Sequence, residues 1–133
     1  MQRFLALLAL AGAIGCGGGS PTSRADVPIG GTYTLRTVNG LPLPFTVAQQ
    51  DSIKVELVSD AFTLTENRTW TQLTVRRTTA SQAVNDTVSD AGTFVLSGAD
   101  NITLISGNGS TDGTIGFGVL TLGNDAVIAV YRK

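Results

Sequence analysis

The chain contains no histidine and a single cysteine. Without histidine it lacks both the side chain most used for acid–base work near neutral pH and the commonest metal ligand. Neither a Ser-His-Asp nor a Cys-His nucleophile can be assembled, and no metal or cofactor is expected. One cysteine rules out a disulfide within the chain, so the folded part must be held by its core alone. Positive charge is scarce as well. With 9 Lys and Arg against 10 Asp and Glu, net charge is −1, and no basic stripe offers the footprint that nucleic acid requires. A convincing 3.6-residue apolar period is missing too; Val47 to Asp51 reads as a single helical turn at most. These absences exclude whole classes and leave a small non-enzymatic, all-β protein.

What is present begins at the amino end. Met1-Gln2-Arg3 is a short basic start, Phe4 to Ile14 an apolar run, and Ala13-Ile14-Gly15-Cys16 its close. That is the order of a secretory signal, and the run is far short of the roughly 20 residues that span a bilayer. The segment resembles the lipobox of bacterial lipoproteins. The resemblance implies that residues 1–15 are a lipoprotein signal peptide, cut after a diacylglycerol joins the Cys16 sulfur, with the new amino group then acylated. A lone thiol in an oxidising compartment is a liability that lipidation removes. Two or more acyl chains, at about 0.8 kcal/mol per buried CH₂, give stable anchoring. Gly17, rather than Asp, follows the cysteine. By the same resemblance this points to the outer membrane, facing the periplasm of the bacterial cell envelope. Residues 16–28, with Gly17-Gly18-Gly19-Ser20-Pro21-Thr22-Ser23 at their head, form a flexible tether.

The remaining residues, 29–133, suit one domain. Runs rich in Thr, Val, Ile and Leu alternate with Gly, Asn and Asp, the signature of strands joined by tight turns. Thr32 to Val38 alternates, and Asn39-Gly40 is a hairpin signal. Leu41-Pro42-Leu43-Pro44 reads as an extended crossing segment, since two prolines remove ladder donors. Ile53 to Leu57 is apolar at odd positions; Ser59-Asp60 reads as a turn or a bulge, so Ala61 to Glu66 is a new strand or the bent continuation of the last one. In Thr69 to Thr78, Trp70 and Leu73 fall on opposite faces, which a bulge would reconcile. Ala80 to Asp86 reads as a loop, Thr87 to Ser97 as a strand bent at Gly92, and Asn101 to Ser106 as the next strand. Gly107 to Gly113 reads as a loop, and Thr114 to Leu122 and Ala126 to Tyr131 as the last strands. About eight strands at even spacing predict an antiparallel up-and-down β-barrel, because closure gives the apolar face a partner and removes open edges. A β-sandwich is the alternative.

From Gly31, the run Gly-Thr-Tyr-Thr-Leu-Arg-Thr-Val-Asn-Gly-Leu-Pro-Leu-Pro resembles the start of small lipocalin-like domains in bacterial lipoproteins. The resemblance implies a meandering barrel that accepts a small apolar or amphipathic ligand, with Arg132 stacked over Tyr33, which stands where lipocalins proper carry Trp. The candidate barrel lining is Tyr33, Leu35, Ile53, Val55, Leu57, Phe94, Leu96, Ile115 and Phe117. The same residues in a filled core would suit an envelope structural or protein-interaction module instead. Trp70 reads as a plug at a barrel end, Asp86 and Asp90 as two carboxylates on one side of a strand, and Asp112 with Asn108 as turn chemistry. The expected partners are a membrane through the lipid anchor and a small apolar ligand or an envelope protein. Replacing the acyl acceptor tests the first: Cys16→Ser should move the protein from the membrane pellet to the soluble fraction on ultracentrifugation.

Overall fold

Side chains such as Thr, Val and Ile favour extended backbone on a half-buried, pleated surface. In the computed structural model, which describes residues 28–133, they build ten strands. These are β1 (Gly31–Val38), β2 (Leu41–Pro42), β3 (Phe45–Gln50), β4 (Ile53–Leu64), β5 (Thr69–Thr79), β6 (Ala83–Ser97), β7 (Asn101–Ser106), β8 (Gly109–Gly116), β9 (Val119–Gly123) and β10 (Ile128–Arg132). Among the described residues there is no helix. The leader (1–15), Cys16 and the tether as far as Val27 lie outside the described residues.

Neighbouring strands pair antiparallel in the order β2-β1-β10-β9-β8-β7-β6-β5-β4-β3. One further pairing, Gly31–Thr34 of β1 against Leu64–Ala61 of β4, joins the sheet to itself. The eight strands β1 and β4 to β10 thus form a closed antiparallel barrel rather than a sandwich. Above Thr34 and Ala61 the closed seam divides. There the upper end of β1 pairs with β2, and the upper half of β4 pairs with β3. Leu43, Phe45 and Leu57 pack against the core beside this division. The turns after β1, β7 and β9 mark the upper end of the barrel, whereas the chain enters β1 at the lower end, beside the turns after β4, β6 and β8.

Several segments differ from the sequence reading, each for a local reason. Val47–Gln50 lies in β3, paired with β4, not in a helical turn. β6 begins at Ala83, so most of the expected loop is strand, held by its pairing with Arg77–Thr79. The stretch after Gly107 is likewise a tight turn feeding β8. The expected strand Thr114–Leu122 breaks at Phe117 and Gly118, whose φ values of 52° and 75° turn the chain back on itself. Phe117 therefore sits on a turn, 78% exposed, rather than inside the barrel. The bulge expected in β5 lies on its partner: β4 carries an extra residue, Val58, between the pairs Leu57↔Arg76 and Ser59↔Val75. β5 stays regular, so Trp70 points inward and Leu73 outward.

That bulge decides which side chains share the interior. Directly opposed residues lie on one face, and alternate residues of a regular strand lie on that same face. Arg76 and Thr74 are two apart on β5, so their partners Leu57 and Asp60 face the same way despite being three apart on β4. A second irregularity, at Arg36 on β1, does the same for Leu35 and Val38, both buried. The core gathers Tyr33, Phe62, Leu64, Phe94, Ile102, Leu104, Leu120 and Leu122 around these positions. Asn39 (φ 51°) and Gly40 (φ 77°) form the expected hairpin turn; two positive φ values match the right-handed twist of the flanking strands.

On the outer face of the upper sheet, Glu56 sits between two cations, Lys54 at 2.6 Å and Arg77 at 2.8 Å. The hydrogen bonds from Lys54 and then Arg77 hold its carboxyl below the usual carboxylate range. A carboxyl with a lowered folded pKa contributes stability above its unfolded value of about 4.3, lost as pH falls through the folded value. Urea midpoints of the wild type should therefore exceed those of Glu56→Gln at pH 7, and the gap should close below the ordinary carboxylate range.

Candidate functional site

Regular alternation on β5 and β6 sends Trp70, Gln72 and Thr74, and Asp90, Gly92 and Phe94, to the inner face. At the upper end β6 parts from β7 while β5 stays paired with β4, and a cavity of about 530 Å³ opens between the inner face of β5 and β6 and the turns after β7 and β9. That is within the range of roughly 300–1,000 Å³ typical of small-molecule sites. Its floor is the top of the core: Phe62, Trp70, Leu104, Leu122 and Tyr131. Gln72 and Asp90 form one side, and residues between Ser106–Thr111 and Gly123–Val127 form the rim.

The floor is rigidly built. A Cβ at Gly92 would meet the Ile105 carbonyl oxygen at 1.9 Å and the Trp70 ring at 3.0 Å. Lacking one, β6 lets the indole lie across it and give its N–H to the Thr93 carbonyl at 2.8 Å. The Phe62 ring packs tilted on Trp70 at 5.4 Å and edge-on to Tyr131 at 5.3 Å. The rim is strapped as well. Asn124 Oδ1 accepts the Ala126 and Val127 amides, and Asn39 Oδ1 accepts the Ile128 amide at 2.8 Å.

Behind the floor lies a buried carboxylate, Asp60. Gln72 Nε2 donates to both its oxygens, at 3.0 and 2.8 Å, the Thr74 hydroxyl donates at 2.8 Å, and the Tyr131 hydroxyl at 2.7 Å. Every partner is a neutral donor. Burial first, and the adjacent Asp60 charge second, push the Tyr131 phenol far above its ordinary range. Gln72 and Tyr131 line the cavity, so their polar ends carry the influence of Asp60 to its wall. The cavity lining includes one carboxylate, Asp90, and no basic side chain. Asp90 Oδ1 accepts the Ala91 amide at 2.8 Å, and no cation pairs with Asp90 among the described residues. Asp125 stands on the rim between two lining residues, Asn124 and Ala126.

None of the nine side chains expected to line the barrel borders this cavity. Tyr33, Leu35, Phe94 and Ile115 are buried in the core, and Leu57 and Leu96 pack against it. Val55 is half-buried, Ile53 is 50% exposed on the divided upper sheet, and Phe117 is on a lower turn. Trp70 does lie at an end of the packed core, as the cavity's floor. Asp86 and Asp90 share the inner face; Asp86 stands opposite Arg76, and only Asp90 reaches the cavity. Asp112 accepts the Thr103 hydroxyl across β7 and β8 at 2.7 Å. The cation over Tyr33 is Lys133, at 6.0 Å, not Arg132. Tyr131 points inward, so its neighbour Arg132 must point out. The residues sequence reasoning missed are Phe62, Gln72, Tyr131 and Asp60. Their signal was phase: Asp60, Phe62 and Leu64 alternate with the outward Ala61 and Thr63, which makes Asp60 an inward acid on a strand that continues past the bulge.

The chain matches no protein-family model, no curated protein and no solved structure. The case for this site rests on its own geometry. Tyr131→Phe deletes one donor to a buried carboxylate, and an unmatched buried group costs about 1–3 kcal/mol. Equilibrium urea unfolding should show a loss of that size, with the far-ultraviolet spectrum of the folded state unchanged.

Proposed function

We propose that this is a non-catalytic binding protein of the bacterial cell envelope, anchored by lipid on Cys16, whose lipocalin-like barrel takes a small, largely apolar molecule in its upper mouth. The observation that carries this reading is the cavity over Phe62, Trp70 and Tyr131, concave, mostly apolar at its floor and with polar groups converging on one side. Such a combination is the usual make-up of a small-molecule site. The course of the chain agrees with it. Pro28 to Gly30 lead into β1 at the lower end, so a tether from Cys16 would hold that end toward the membrane and leave the mouth facing away from it.

A second reading, an envelope interaction module, is favoured by the open edge of β6. The Phe94 amide bonds the Arg68 carbonyl on the β5 side, so even-numbered residues of β6 face β5. The amides and carbonyls of Ala83, Asn85, Thr87 and Ser89 therefore turn outward, and β7 joins β6 only from Gly92 onward. Val84 and Val88 are exposed beside that edge. An extended segment of another protein could add there as a strand.

Native mass spectrometry of the protein purified from its own membranes tests the first reading. A small molecule retained in gentle ionisation and lost on denaturation is the expected outcome. Protein that carries only the mass of its acylated chain, in every mild detergent tried, counts against a resident ligand and leaves the interaction reading.

A further inference from the structure

The polar groups of the mouth have one sign. Asp90 lies on the cavity wall without a cationic partner among the described residues. Asp60, just behind the wall, is satisfied by neutral donors alone. Asp125 sits at the rim. The nearest base along the inner face of β5, Arg76, faces Asp86 and does not border the cavity. Beneath these carboxylates lie three aromatic rings, with Phe62 in contact with both Trp70 and Tyr131. The Trp70 N–H is already spent on Thr93, so the indole offers the cavity apolar and π surface rather than a donor. A ring face attracts a cation within about 6 Å, and a wall of one charge sign raises the local concentration of the opposite sign.

We propose that the mouth selects a small organic cation: an ammonium group carried on an apolar or aromatic body. The body lies on Phe62, Trp70 and Leu122. The ammonium donates to Asp90 Oδ2, which takes no hydrogen bond from the described residues, and to the hydroxyls of Ser106 or Ser110 on the rim. A carboxylate ligand meets repulsion from Asp90 and from the field of Asp60. A neutral ligand of the same shape leaves Asp90 to water. The inference rests on the reading of the cavity as a ligand site and adds the charge of the ligand.

Trp70 is the only tryptophan of the chain, so its fluorescence reports occupancy of the floor. Three probes of similar shape separate charge from shape: 2-phenylethylamine, 2-phenylethanol and phenylacetate, each titrated into the full-length protein at pH 7. The amine should bind about tenfold to a hundredfold tighter than the alcohol, the span expected of a charge-assisted hydrogen bond. Phenylacetate should bind weakest. Asp90→Asn, a half-exposed side chain whose loss leaves the core intact, should bring the amine down to the level of the alcohol. Equal binding of all three, tighter binding of the alcohol or the acid, or an amine preference that survives Asp90→Asn overturns the cation inference while leaving a ligand site in place. No response to any probe overturns it as well, and the native mass spectrum then decides separately whether the cavity holds a ligand.

Discussion

Closure of the sheet at β1 is the constraint on which the rest of the molecule depends. An open meander of Thr-rich hairpins has one apolar face without a partner and two unpaired edges. Four residue pairs between Gly31–Thr34 and Leu64–Ala61 remove both problems at once. They do so with no disulfide available, so the stability of the domain is that of its core and its ladders. The lower seam is reinforced by ties from the chain ends. Tyr33 donates to the Ile29 carbonyl at 2.7 Å, and Lys133 bonds the carbonyls of Pro28 and Gly30. These hold the entering and leaving strands together just below the point of closure.

The seam is short, and its shortness shapes the mouth. Above Thr34 the two sides of the barrel go separate ways, β1 with β2 and β4 with β3. The pairing of β5 with β6 continues upward past the level at which β6 leaves β7. One side of the barrel therefore stands taller than the other. The cavity lies in the angle between the tall side and the low rim of turns, which is why its wall is drawn from β5 and β6 and its rim from the hairpins after β7 and β9. The same asymmetry produces the open edge of β6. A mouth that accepts a ligand and an edge that accepts a strand follow from one topological fact, and both readings of function trace back to it.

How much of this was legible in the sequence depends on how local the signal was. Asn39-Gly40, the Gly/Asn/Asp turns and the absence of a helical period are local, and they led to a barrel of the right class. The bulge at Val58 is not local. Ser59-Asp60 reads from sequence as either a turn or a bulge, and it is the pairing of β4 with ten residues of β5 that keeps it extended next to a bulge. With Ser59-Asp60 left open as a turn or a bulge, the inner face of β4 was read from Ile53, Val55 and Leu57 alone, and the acid behind the floor of the mouth was missed. Phe117 failed for the opposite reason. Its apolar character suggested an inward position on a long strand, but Gly118 beside it permits a reversal there, and the aromatic ring goes outside. The interior could be read from alternation where strands were regular. The mouth could not, because it is made where they are irregular.

The buried carboxylate shows how structure and site are joined. A charge taken out of water is costly unless its hydrogen bonds are complete, and in a small domain without cross-links that cost falls on a modest core. Asp60 meets the condition with donors from two other strands: Gln72 and Thr74 on β5, and Tyr131 on β10. β4 and β10 flank β1 at the closing seam. The bond from Tyr131 to Asp60 therefore spans the inner face of β1 and ties its flanking strands together where the seam ends. The charge is held in place by the closure it strengthens. Because Gln72 and Tyr131 also line the cavity, the group that secures the barrel stands directly behind the mouth and has the same charge sign as Asp90 on its wall. An apolar residue at position 60 could fill the space, but it would leave the hydroxyl of Tyr131 and the amide of Gln72 without their common acceptor, loosening the seam and the wall together.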